Sequence, residues 1–228
     1  MAFGELESLL PLAGRLSRLV YETLKDRLVS GDLAAGSALS VEAVRAELGV
    51  SKQPVMEAAR LLAADGLLEI APQVGIAVSK YSPDETADFF RMFARFEGSV
   101  AEIAGERATT QSVARLRAHA ASMHGLESIG SPRDRAAAYR VGNRTFHQLI
   151  HEMARSPLMV ATSRRLWDLS DFLIATSGDP NAMAGVLDAR NDQHDEIVAA
   201  LSRPDPSAAR LAMERHILGV VAVLSRES

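Results

Sequence analysis

Apolar residues recur along this 228-residue chain with two periods, and the change of period organises it. Residues 1–11 carry no strong pattern and read as a loose leader. From Leu12 to Leu28, Leu16, Leu19/Val20, Leu24 and Leu28 return at helical spacing until Ser30-Gly31 stops them. Leu39-Ser40 opens a short helix, Leu48-Gly49-Val50-Ser51 turns it, and Pro54 to Leu62 carries a second. Gly66-Leu67-Leu68-Glu69-Ile70 and Gly75-Ile76-Ala77-Val78 then read as two short strands around a turn. Helix, tight turn, helix and β-ribbon is the order of a winged helix-turn-helix.

A boundary follows at residues 80–84. Pro83 fits the first helical turn after a Ser82 cap, with Asp84 and Glu85 at the positive end of the dipole. Beyond it the period stays helical, and no alternating strand pattern appears. Helices are predicted near 84–107, 110–127, 132–154, 157–177, 182–202 and 206–225. The breaks between them are Ser131-Pro132, Ser156-Pro157, Gly178-Asp179-Pro180 and Arg203-Pro204-Asp205-Pro206. The fold expected is mainly α: a winged helix-turn-helix over 12–80 and an antiparallel bundle of about six helices over 84–228.

Composition narrows this picture without changing it. Hydrophobic content of 47% with 24% charge is that of a soluble globular protein. With no cysteine there is neither a disulfide framework nor a thiolate metal site. No secretory signal and no membrane-spanning apolar run is evident, so a cytoplasmic protein with no membrane partner is expected. The net charge of −4 does not advertise nucleic-acid binding, so any such binding must rest on local basic residues.

Those local residues sit where a reading helix needs them. Ser51, Lys52 and Gln53 lead the second helix, with Val55, Ala58, Ala59 and Leu62 at core spacing behind them. Ser51 can cap the helix and reach a phosphate, Lys52 supplies charge, and Gln53 can pair with an adenine edge. Gly75 stands where a wing tip approaches the backbone of double-stranded DNA.

With these residues in place the chain resembles a known family. Val20-Tyr21, Leu24, Ser30-Gly31-Asp32-Leu33, Gly36, Leu39 and Leu48-Gly49-Val50-Ser51 are similar to a GntR-type winged helix, as are Pro54-Val55, Glu57-Ala58, Gly66-Leu67, Gly75 and Val78. The helical half resembles the FadR-like ligand-binding domain called FCD. The resemblance implies a cytoplasmic, ligand-responsive transcription factor, in most relatives a repressor. It also implies a homodimer that presents two heads to an operator. The departures concentrate at arginines: Lys52-Gln53-Pro54-Val55-Met56 replaces Arg-Thr-Pro-Val-Arg, Val74 precedes the wing glycine, and Ala38 precedes Leu39. Arg45 stands where a small residue is common and can restore one phosphate contact. Residues 1–80 hold eight lysines and arginines against ten aspartates and glutamates, a net of −2. Met56 and its neighbours therefore form an unusually uncharged reading edge.

The bundle carries metal chemistry. Asn143 and His147 are four apart on one predicted helix and share a face, while His194 and His216 lie on the fifth and sixth helices. Three imidazoles and one oxygen in a bundle core suit Zn²⁺, with Ni²⁺ or another transition metal as alternatives. His151, one turn beyond His147, is the rival ligand. The family frame, Asp or Asn-x3-His followed by two later histidines, falls on His147 rather than His151. Asn143, neutral where carboxylate is usual, leaves the site more positive and favours an anionic effector. His119 and His124 fit no such frame and read as surface or packing residues. Relatives often place an effector-binding arginine four residues before the glutamate matched by Glu97. Phe93 is there instead, with Arg91 and Arg95 two residues either side, so a carboxylate effector has only weak arginine candidates on that helix. Phe89, Phe96, Phe146, Trp167 and Phe172 can line a pocket, though ordinary core roles fit most of them.

Enzyme chemistry is poorly represented. There is no Gly-rich phosphate loop, no Gly-x-Ser-x-Gly elbow and no cysteine nucleophile. The alternatives to a regulator are a metal-dependent hydrolase built on the histidines and a helical dimerisation protein with a vestigial reading head.

Overall fold

The structure is a computed structural model of the chain, described over residues 12–71 and 75–225. The expected leader and Val74 lie outside the described residues. The chain divides into two compact units, Met1–Lys80 and Tyr81–Ser228.

The first unit begins with α1 (Leu12–Val29), followed by α2 (Val41–Leu48) and α3 (Lys52–Ala64). Helix α1 buries Val20, Leu24 and Leu28 and packs on α3, which buries Pro54, Val55, Ala58, Ala59 and Leu62. Two side-chain bonds tie these helices: Tyr21 donates to Asp65 at 2.8 Å, and Ser17 donates to Glu57. Ser40 caps α2 by accepting the Ala43 N–H. Gly49 ends α2 at a φ of 64°, a left-handed turn that a side chain would strain.

Strands β1 (Ala38–Leu39), β2 (Leu68–Ala71) and β3 (Gly75–Val78) form an antiparallel sheet in the order β1-β3-β2. Leu68 faces Val78 and Ala71 faces Gly75, so β2 and β3 make the expected ribbon. Strand β1 corrects the expectation that Leu39 opens a helix. Leu39 pairs with Ile76, Ser40 is the cap, and the helix starts at Val41. Two residues are too few to show alternation, so only the partner strand reveals β1.

The second unit is all helical: α4 (Pro83–Glu106), α5 (Thr110–Met123), α6 (Pro132–Ala154), α7 (Pro157–Thr176), α8 (Leu187–Leu201) and α9 (Pro206–Leu224). Ser82 and Glu85 form a full capping box at the start of α4. Pro132, Pro157 and Pro206 each sit in a first turn, behind the caps Ser131, Ser156 and Asp205. Two expected helices are shorter than predicted. The first ends at Met123 and continues as a 3₁₀ turn over His124–Ser128, which contains Gly125. The second starts at Leu187, because Ala182–Gly185 is a separate 3₁₀ turn ending on a glycine. Helix α4 is the central element, packed against α6, α7, α8 and α9. Among the described residues, no helix is long and apolar enough to cross a membrane.

Candidate functional site

Three helices of the second unit bring polar residues into one buried place. Asn143 and His147 lie one turn apart on α6, His194 lies on α8, and His216 on α9. All four are buried, and His147 and His216 have no exposure at all. The histidines can each offer one ring nitrogen, and these atoms lie within 4.8 Å of one another. His147 Nε2 is 3.2 Å from His216 Nε2, and His194 Nε2 is 3.0 Å from Asn143 Oδ1. Ligand atoms about 2.0–2.1 Å from one tetrahedral zinc stand about 3.3 Å apart, so the donor set fits a small divalent cation. Nδ1 of His147 and of His194 is buried without a hydrogen-bond partner. Trp167 packs on the His147 ring at 4.3 Å between centroids and Phe146 on the His194 ring at 4.2 Å, so the walls are apolar.

The electrostatics keep these rings in their ligating form. Burial pushes His147, His194 and His216 well below the ordinary imidazole value, and the Arg190 guanidinium pushes each the same way. They are therefore neutral near pH 7, the protonation state in which an imidazole can ligate a metal. His216 Nδ1 lies 3.2 Å from Gln193 Oε1, an acceptor that places the proton on Nδ1 and leaves Nε2 bare.

Arg190 is the residue that sequence reasoning missed. It is only 3% exposed and shares the His194 face of α8, one turn earlier. Its Nη2 lies 3.0 Å from His216 Nε2, and its Nη1 donates to the His216 carbonyl at 2.7 Å and to Gln193 Oε1 at 2.8 Å. Its Nε donates to Tyr139 Oη at 3.2 Å, and Tyr139 donates in turn to Asn143 Oδ1 at 3.2 Å. The available signal was the i, i+4 spacing of Arg190 to His194 and of Tyr139 to Asn143.

His151 belongs to a neighbouring network. It lies 2.9 Å from Glu97 Oε2, while Ser163 donates to Glu97 Oε1 at 2.6 Å. This satisfies a carboxylate that is fully buried on α4. Glu97 Oε2 stands 4.0 Å from His147 Nδ1, beyond hydrogen-bond reach. His119 meets the Gly142 carbonyl and His124 pairs with Asp195, and neither ring joins the group of three histidines. Arg91 and Arg95 are exposed on α4, and Arg91 pairs with Asp88 at 2.5 Å. Neither joins the histidines. Phe93 is buried edge-on against Trp167, Phe172 is buried as well, and Phe89 and Phe96 are half-buried.

Of the candidate DNA-reading residues, Ser51, Lys52, Gln53 and Met56 lie at the start of α3, Arg45 lies on α2 and Gly75 begins β3. Ser51 holds the N-cap position but makes no side-chain cap bond, so its hydroxyl does not serve the helix as expected. Lys52 and Gln53 are exposed, and Gln53 Nε2 donates to Glu57 at 3.1 Å. The bonds from Ser17 and Gln53 hold Glu57 below the usual carboxylate range. Met56 is half-buried, Arg45 donates to Glu42 at 2.7 Å, and Gly75 is exposed at a φ of 117°.

Comparison with known proteins places these features in context. The model of the FCD domain matches residues 88–219, more than half of the chain, and that of the gntR family of bacterial regulatory proteins matches residues 16–78. The HTH-type transcriptional repressor RspR of Escherichia coli (strain K12) is 28% identical over 202 residues, covering 89% of this chain and 86% of its own length. The repressor GlaR of the same strain is 22% identical over 207 residues, covering 90% and 94%. The solved structure of E. coli McbR/YncC aligns with a TM-score of 0.75 at 21% identity, over 92% of this chain and 97% of that one.

Proposed function

This chain belongs to the GntR family of bacterial regulatory proteins, with an FCD domain behind its reading head, and we propose that it is a cytoplasmic, homodimeric repressor whose bundle binds a divalent metal and a small anionic metabolite. Membership of a family of transcriptional regulators sets aside the hydrolase reading. The observation that carries the metal assignment is the convergence of three buried, neutral histidines with Asn143, ligand atoms 3.0–3.2 Å apart within its two pairs.

In this reading Asn143, His147, His194 and His216 hold the metal, with zinc the best match to the donor set. The metal supplies fixed positive charge and an open coordination position for an oxygen ligand. With a neutral amide in place of carboxylate, that charge stays uncompensated by the ligands, which favours an anion. Ser51, Lys52, Gln53, Met56, Arg45 and Gly75 form the DNA-facing edge. An effector changes operator affinity only if it binds the DNA-competent and incompetent arrangements unequally, and linkage makes the effect reciprocal.

The test is to analyse the purified protein for bound metal and to select genomic fragments with it. Stoichiometric metal lost from a His147/His194/His216 triple alanine variant, and a two-fold symmetric selected site, support the proposal. Metal retained by that variant removes the metal centre, and the absence of any selected sequence removes the operator-binding role.

A further inference from the structure

Two arginines of the second unit, Arg144 half-buried and Arg190 buried, are treated differently by their surroundings. Arg144 of α6 donates to Asp168 at 2.8 Å and to Asp171 at 2.6 Å, so its charge is matched twice over. Arg190, more deeply buried, has only neutral partners: a phenol, an amide oxygen, a backbone carbonyl and an imidazole. Among the described residues no carboxylate pairs with it. A buried cation without a counter-charge is costly, because each ion removed from water loses several kcal/mol of hydration on the order-of-magnitude scale.

The guanidinium is held in a shaped slot. A Cβ at Gly219 of α9 would lie 3.0 Å from Arg190 Nη1, so a glycine gives the group its room. Of its five N–H donors, the four bonds above use one on Nε, two on Nη1 and one on Nη2. One Nη2–H remains. The other Nη2–H sits on the His216 Nε2 lone pair, and that lone pair is the one a metal needs.

We propose that Arg190 is the anchor for a carboxylate on the histidine centre, and that its Nη2 competes with the metal for His216 Nε2 until that carboxylate arrives. This rests on reading the cluster as a metal centre. A metal held by His216 would take that lone pair, would release the Nη2–H bonded to it, and would set a divalent charge beside a guanidinium. A carboxylate would offset both charges and would give the Nη2 donors of Arg190 an acceptor. Arg190 on α8 thus does from another helix what Phe93, Arg91 and Arg95 on α4 do not. Metal and carboxylate then bind with positive cooperativity.

Cobalt(II) titration followed by its visible absorption, with and without saturating acetate, tests this on the full chain. In the unmodified protein acetate tightens Co²⁺ binding, by roughly 5–150-fold if the coupling is of ordinary size. In Arg190→Met the acetate-free Co²⁺ affinity rises roughly tenfold or more, since a like charge is gone, and the acetate effect shrinks. Gly219→Ala keeps the charge but crowds Nη1, so it lowers the acetate effect even if Arg190→Met folds poorly. Equal acetate-free affinity and equal acetate response in all three proteins overturn the role of Arg190 while leaving the metal centre standing. Co²⁺ binding that is unchanged in His216→Ala overturns the metal reading itself, and the competition with it.

Discussion

In the reading head, the candidate DNA-reading residues lie in water; in the bundle, the candidate metal ligands lie out of it. Lys52 and Gln53 are exposed at the start of α3, and Arg45 shares its charge with Glu42. Asn143, His147, His194 and His216 are buried among Phe146, Trp167 and Tyr139. The difference follows from what each partner brings. DNA arrives with its own charge and counterions, so a reading surface needs only exposed donors on a rigid helix. A metal needs deprotonated ligands held close together, and a packed interior that keeps imidazoles neutral supplies both. The head can be altered without unfolding the protein, whereas the bundle centre is part of the core.

The largest test of that contrast is removal of a ligand from the core. His147→Ala or His216→Ala should abolish metal binding and lower the melting temperature of the metal-loaded protein. Mass action alone makes a ligand present at a thousand times its Kd worth about 4 kcal/mol. Elemental analysis and thermal melts with and without chelator check this, and a chelator-insensitive melt in the unmodified protein would break the comparison on the bundle side.

Next comes the head. Lys52→Ala combined with Gln53→Ala should abolish specific DNA binding at an unchanged melting temperature, because neither side chain is in the core. A good base contact is worth about 1–3 kcal/mol of discrimination. Gel shifts on the selected operator, paired with thermal melts, measure both halves of the statement. Unchanged operator affinity in the double variant would mean that another edge does the reading.

A smaller effect distinguishes the regions by pH. Burial holds the three histidines well below the ordinary imidazole value of about 6.5 in the folded chain. Above that value both folded and unfolded chains hold them neutral, and their contribution to stability is constant. Below it the unfolded chain takes up protons that the folded bundle refuses, so stability falls as pH drops from about 6.5 toward the depressed folded values. Chelator-treated protein should show this loss in urea melts at pH 7 and pH 5. The His147/His194/His216 triple alanine variant, less stable overall, should lose much less between the two pH values.

Much of this was legible in the chain, and the exceptions share a cause. Helix α1, the turn at Gly49 and the Pro-led starts of α6, α7 and α9 follow from local pattern, since caps and periodicity act within a few residues. The spacing of Asn143 to His147 put two candidate ligands on one face, with His194 and His216 expected on two later helices. What escaped depends on contacts between distant residues. Strand β1 exists because β3 lies beside it. An arginine on a helix is ordinarily a surface residue. That Arg190 is buried depends on Tyr139, on the His216 carbonyl and on the space left by Gly219, three features on two other helices. The separation of His151 from the cluster depends likewise on Glu97 and Ser163.

The finest test concerns a charge that the head holds back. Arg45 Nη1 is 2.7 Å from Glu42, one turn away on α2, and both side chains are substantially exposed. Such pairs contribute about 0–1 kcal/mol to stability, because water already solvates both partners. Glu42→Gln should therefore barely move the melting temperature. Its effect should appear instead on DNA. Removing the carboxylate frees the guanidinium and takes one negative charge off an edge whose unit is net negative. If Arg45 faces a phosphate, operator affinity should rise, and its dependence on salt should steepen by about 0.9 per added phosphate contact in a log–log plot. The same substitution should leave metal content and chelator sensitivity untouched, since Glu42 lies in the first unit and the ligands lie in the second. A salt slope identical to that of the unmodified protein would place Arg45 away from the phosphates and confine the reading edge to Ser51, Lys52, Gln53 and the wing.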